Sequence, residues 1–176
     1  NNYGDDDQET TAENFHAAAA YRHLFNERFY GMAGEEFTHD DVADITYRFI
    51  TSPGVGYYFI KKPATSLRGE FGPSWVYQRN SGSEPGTKNY IALRLAERGE
   101  HDFGNGAKVW QQVEYLPKVD DFGDYLLNAE VGIEASMTKT MALRFVARDQ
   151  YNSNPPDGRK SNDISLIAAV VYKFGN

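Results

Sequence analysis

The sequence predicts an all-β chain, an antiparallel up-and-down β-barrel that crosses a membrane. Three observations lead there. Apolar and polar residues alternate with period two over most of the chain. The alternating runs are long, and the connections between them are short and long in strict turn. About nine strands follow, at roughly 12–24, 28–39, 44–60, 65–79, 88–101, 107–117, 125–137, 140–152 and 163–174. Most run about 11 to 17 residues, against a mode near 5–6 for globular strands, and a membrane-spanning strand needs about 9–11.

The elements follow in order. Phe15, Ala17, Ala19 and Tyr21 alternate in the first run, where helical periodicity has no polar face of proper width. Leu67, Gly69, Phe71 and Pro73 alternate with Arg68, Glu70, Gly72 and Ser74; Ile91, Leu93 and Leu95 alternate with Ala92, Arg94 and Ala96. Tyr125, Leu127, Ala129, Val131, Ile133 and Ala135 form the clearest series. Met141, Leu143, Phe145 and Ala147 continue it, and Ile164, Leu166, Ala168, Val170, Tyr172 and Phe174 close it. Short turns fall at Asn26–Arg28, Lys61–Ala64, Asn105-Gly106 and Thr138–Thr140. Longer connections fall around Asp40–Ala43, Asn80–Thr87, Lys118–Asp124 and Ser153–Asn162. A meander then carries all short turns at one end and all long loops at the other, as outer-membrane barrels do. An even-stranded barrel with both termini on the short-turn side implies an odd number of further strands upstream, about ten to twelve in all.

Composition narrows the function classes. The chain has no cysteine, so disulfides, thiolate metal sites and a Cys nucleophile are excluded. The net charge of −7 and the lack of a basic stripe give nucleic-acid binding little support, and no such partner is expected. No run of 18 apolar residues supplies a transmembrane helix, a test blind to barrels. Lysines cluster in turns and near strand ends. The mid-strand polar residues are instead Glu36, Arg48, Glu70, Arg94, Gln112, Glu114, Glu130, Arg144 and Arg148, a mixture suited to a narrow lumen where opposite charges pair. A lipid-facing Arg at mid-depth costs roughly 2–4 kcal/mol, so Arg94 and Arg144 are expected to face inward. Phe25, Phe29, Tyr57, Phe59, Tyr77, Tyr90, Tyr115, Tyr125, Tyr151, Tyr172 and Phe174 lie near strand ends, where interfacial girdles belong.

Several stretches resemble a bacterial family of uncharacterised function, the salt-induced outer membrane proteins. They are Glu114-Tyr115-Leu116-Pro117 followed by Asp120-Asp121-Phe122-Gly123-Asp124-Tyr125, and Tyr151-Asn152-Ser153-Asn154-Pro155-Pro156-Asp157-Gly158 leading to Val171-Tyr172-Lys173-Phe174. Gly54-Val55-Gly56-Tyr57 and Glu70-Phe71-Gly72-Pro73 also fit. The resemblance implies a transmembrane barrel in the bacterial outer membrane, without a known activity. Outer-membrane lipid, lipopolysaccharide and the barrel-assembly machinery are the implied partners, with other outer-membrane subunits possible. The last strand is similar to the aromatic signal read by that machinery, although Gly175-Asn176 follow Phe174.

Enzymatic and cofactor chemistry finds little support. His16, His23, His39 and His101 match no metal-ligand spacing, and no mid-strand Ser lies near a His. No phosphate-cradling glycine loop or Gly-x-Ser-x-Gly elbow occurs. No cofactor is expected. Asp5-Asp6-Asp7, Asp40-Asp41 with Asp44, and Asp120-Asp121 with Asp124 read as solvated loop charge, with divalent-ion binding as the alternative. Asn152–Gly158 reads as a rigid turn. Three functions remain: a non-enzymatic structural barrel or assembly subunit, a narrow channel, and a soluble ligand-binding β protein.

Overall fold

The computed structural model describes residues 14–40, 45–81, 85–138, 140–155 and 160–172. Among them, nine strands form one sheet in sequence order, every neighbour antiparallel. They are β1 (Asn14–Leu24), β2 (Phe29–Asp40), β3 (Ile45–Lys61), β4 (Thr65–Asn80), β5 (Gly86–Asp102), β6 (Ala107–Pro117), β7 (Tyr125–Ser136), β8 (Met141–Asn152) and β9 (Asn162–Tyr172). The expected boundaries hold to within two residues where both ends are described. Lys139, Pro156, Phe174, Asp5–Asp7 and Asp41–Asp44 lie outside the described residues, with the acidic, proline and C-terminal expectations placed on them.

The sheet curls into a half-barrel. Arg22 on β1 reaches Glu70 on β4, two strands beyond its neighbour, which is possible only across a concave face. Among the described residues β1 pairs with β2 alone and β9 with β8 alone, so the described sheet has two open edges. At the short-turn end the β5–β6 hairpin places Gly104 and Gly106 at φ of 74° and 86°, a conformation glycine adopts without steric cost. Asn26 Oδ1 accepts from the amides of Arg28 and Phe29, closing the β1–β2 turn.

Register shifts occur at Thr38/Asp40, Ile45/Tyr47 and Tyr58/Ile60, and one seam departs further from regular pairing. Between β3 and β4 the ladder stops at Thr51↔Trp75 and resumes at Val55↔Phe71. Pro53 and Pro73 stand opposite each other in that interval, and each pairs continuously on its other side, with Ala33 and Leu93. Their ring nitrogens therefore face one another without an N–H, and two ladder hydrogen bonds are lost. The strands stay close because glycine flanks the slot. A Cβ on Gly72 would lie 2.2 Å from Pro53 O, and one on Gly54 would lie 2.6 Å from Phe71 O. Ser52 Oγ and Ser74 Oγ, 2.6 Å apart, close the seam on the concave side. Replacing both prolines by Val restores two donors. Hydrogen exchange at Thr51 and Val55, which border the slot, is expected to slow; unchanged exchange would refute this account.

Candidate functional site

Alternation sorts the side chains onto two faces. The concave face carries one parity: Glu36, Arg48, Glu70, Arg94, Gln112, Glu114, Glu130, Arg144 and Arg148 all stand there with the other even-numbered residues of their strands, except where the register shifts at the two ends of β3 switch Ile45 and Ile60. The convex face carries large apolar side chains in the open, among them Phe71 (50% exposed), Trp75 (52%), Val131 (61%) and Leu166 (82%). By contrast, the side chains of Glu70 and Arg94 are 5% and 13% exposed.

A hydrogen-bonded belt crosses the concave face. Its centre is Glu70, whose Oε1 accepts from Arg22 Nε at 2.9 Å and from the Tyr30 hydroxyl at 2.8 Å, while Oε2 accepts from Arg94 Nη1 at 3.0 Å. Arg68 Nε approaches to 3.4 Å. Arg94 Nε donates to Glu114 Oε2 at 2.5 Å. Asn128 donates to Glu114, and Gln150 donates to Asn128. The belt thus links β1, β2, β4, β5, β6, β7 and β8.

Beside it lies a second cluster, built around Trp110. Its indole N–H donates to Glu130 Oε1 at 2.8 Å, and Arg148 Nη2 donates to Glu130 Oε2 at 2.8 Å. The guanidinium groups of Arg98 and Arg144 lie 5.8 and 5.4 Å from the indole ring. Arg144 also holds Glu134, and Arg98 donates to Gln112. Gly132 makes room for the indole: a Cβ there would lie 2.1 Å from Trp110 Cζ2. Nearer the long-loop end, Arg48 donates to Gln78 and Gln78 to Asn80. An apolar cluster of Ile50, Val76, Ala92 and Leu116 closes that end of the concave face, with Leu126 packed on it. Tyr90 packs there too, which corrects its expected place in the girdle: its parity turns it inward.

Between the curled edges lies a cavity of about 300 Å³, lined by His16, Glu36, Arg94, Glu114, Glu130 and Arg148 among others. Arg94 pairs with Glu114 and Arg148 with Glu130 within its wall, so much of the lining charge is neutralised locally. No group of three or more His, Cys, Asp or Glu among the described residues is arranged to hold a metal. His16 Nε2 lies 3.6 Å from Glu36, His39 donates to Thr46 O, and His101 meets the Thr65 hydroxyl.

The loop motifs meet at one end. Asp121 Oδ1 accepts from the Gly123 amide, and Asp124 Oδ2 takes Asn154 at 3.4 Å and Lys118 at 3.6 Å. Tyr125 N donates to Ser153 Oγ, and Asn154 N to Asn152 Oδ1. Asp120 and Phe122 are exposed at the tip, and Pro155 is half-buried. These carboxylates thus shape and join two loops.

Parity also exposes what residue-by-residue reading left out. Arg22, Tyr30, Arg68, Arg98, Trp110 and Glu134 belong to the concave network and share the even parity of the expected residues. On the convex face, Glu35 Oε2 accepts from Thr51 Oγ1 at 2.7 Å, and Glu97 accepts from Gln111 Nε2 at 2.7 and 2.6 Å. Asp149 shares this face, opposite Ala129 and Ile164, so the convex wall is apolar with polar interruptions rather than apolar throughout.

A family described as "Protein of unknown function, DUF481" matches residues 1–174. The chain belongs to this family. No curated protein and no solved structure matches it. As a member of the family, the chain carries its matched stretch through both ionic clusters and both loop motifs.

Proposed function

We propose that this protein of the DUF481 family is a non-enzymatic β-barrel of the bacterial outer membrane, a structural envelope component or a subunit of an outer-membrane assembly. The observation that carries the reading is the inversion of polarity. Ion pairs fill the concave side, while Phe71, Trp75, Phe145, Leu166 and Val170 stand exposed on the convex side. Each such side chain forgoes about 1.5–3 kcal/mol when left in water, a loss that hydrocarbon removes. Among the described residues no helix is long and apolar enough to cross a membrane, which says nothing of strands.

The aromatic rows have the right spacing. Near the long-loop end Phe37 and Phe49 lie 5.0 Å apart, and Tyr115, Tyr125 and Tyr151 follow one another. Near the short-turn end stand Phe25 with Phe29, and Tyr57 with Phe59. Phe49 to Tyr57 spans about 27 Å of strand, or about 20 Å of depth at the usual tilt, close to the ~25 Å apolar band of such barrels. The resemblance to salt-induced outer membrane proteins points the same way, and makes lipopolysaccharide and the barrel-assembly machinery the proposed partners.

In the full-length protein, membrane fractionation with heat-modifiable mobility on gels is the expected result. Detergent-free solubility with cooperative unfolding would instead establish a soluble ligand-binding protein. Neutralised walls around the cavity favour a closed interior over the channel reading, so planar bilayers should stay silent. Discrete conductance steps that shift when Arg94 or Arg144 is neutralised would establish a narrow channel.

A further inference from the structure

We infer that the convex face of β5 and β6 is the contact between two copies of this chain within the membrane, joined through Glu97 and Gln111. The inference rests on the membrane reading above. Gln111 lies four residues from Ala107 at the turn end of β6 and four from Tyr115 in the aromatic row. That is about 14 Å of strand either way, which puts the island near mid-depth of the apolar band. Glu35 and Thr51 are different: Glu35 is two residues from Phe37 of the aromatic row, within reach of the interface.

The island is polar beyond its own needs. A carboxylate has about four acceptor sites, and Glu97 receives one amide nitrogen. The surroundings are otherwise apolar or small. Val113 stands opposite Glu97 in register and is 40% exposed, and Leu95 beside it is 43% exposed. Gly99 borders the island: a Cβ there would sit 3.3 Å from Gln111 Nε2, so no side chain from that position covers the half-buried pair.

Hydrocarbon offers such atoms no hydrogen bonds, and polar groups facing it are expensive enough to mark contact sites. The occupant is set by the chemistry of the pair. Each island holds one donor-bearing amide and one acceptor carboxylate, so two copies about a two-fold axis along the membrane normal satisfy both at once. Gln111 Nε2 meets both oxygens of one carboxylate, which subtend too narrow an angle for its two N–H groups. One forked N–H therefore serves Glu97, and the second is left to donate to Glu97 of the other copy.

Because the chain has no cysteine, one introduced thiol reports contact cleanly. Full-length protein carrying Val113→Cys is expected to form a covalent dimer on oxidation in detergent or native membranes. Val55→Cys, on the convex face of β3, is expected to stay monomeric. Adding Glu97→Leu and Gln111→Leu to Val113→Cys should cut cross-linking about tenfold, equivalent to ~1.4 kcal/mol, while heat-modifiable mobility persists because leucine suits a lipid-facing wall. Absence of cross-linking, equal cross-linking with the island removed, or an adduct whose mass is not twice the chain would overturn the contact. Wild-type protein that remains dissolved without detergent would overturn the membrane reading, a separate and separately visible result.

Discussion

Glu70→Ala is expected to lower the unfolding free energy by about 3–5 kcal/mol, the range for removing one partner of a buried charge pair. Glu70 is the acceptor on which Arg22, Tyr30 and Arg94 converge, and its side chain is 5% exposed. Among the described residues, its loss leaves Arg22 and Arg68 facing no carboxylate across the concave side and Arg94 with Glu114 alone. Urea titration of the folded protein in detergent measures the effect. A cycle with Arg22→Met isolates the tie between β1 and β4, since only a curled sheet couples residues so far apart in strand order. A change below about 1 kcal/mol, the scale of exposed pairs, would mean the belt is solvated and contributes little.

The second large effect is expected at Gly132. A valine there would force its Cβ into the Trp110 ring, where the gap is 2.1 Å. The indole must move, and the Trp110–Glu130 hydrogen bond and both guanidinium contacts go with it. Overpacking alone costs about 1–3 kcal/mol, and each cation–π contact adds about 0.5–2 kcal/mol. With Trp75 replaced by Phe, Trp110 is the remaining tryptophan, so its emission reports the site directly. Destabilisation together with a red-shifted emission is the expected result. A native spectrum and unchanged stability would show that the indole has room elsewhere and does not organise the cluster.

Much of the concave site was legible because period-two alternation ties every residue of a strand to one face. Once Glu114 and Arg144 were placed inward, Gln112 and Arg148 followed from their spacing alone. The same rule, applied without regard to residue type, also places Tyr30 and Trp110 inside and Glu97 and Gln111 outside. A choice of residues by chemistry, with aromatics sought near strand ends and a few mid-strand charges sought for the lumen, names none of those four. Parity, a steric property of the pleat, overrides that chemical preference wherever the two disagree.

By itself, the sequence determined strand number, strand order and the two-faced character of the wall. Each of these depends on local spacing and on connections that favour the next strand as neighbour. Only the tertiary structure decided which charges meet. Arg22 and Glu70 are 48 residues apart in the chain, and their contact arises from the curvature of the whole sheet. Curvature sums small twists over many strands. No local pattern encodes that sum, so the pairing inside the half-barrel emerges when the wall bends.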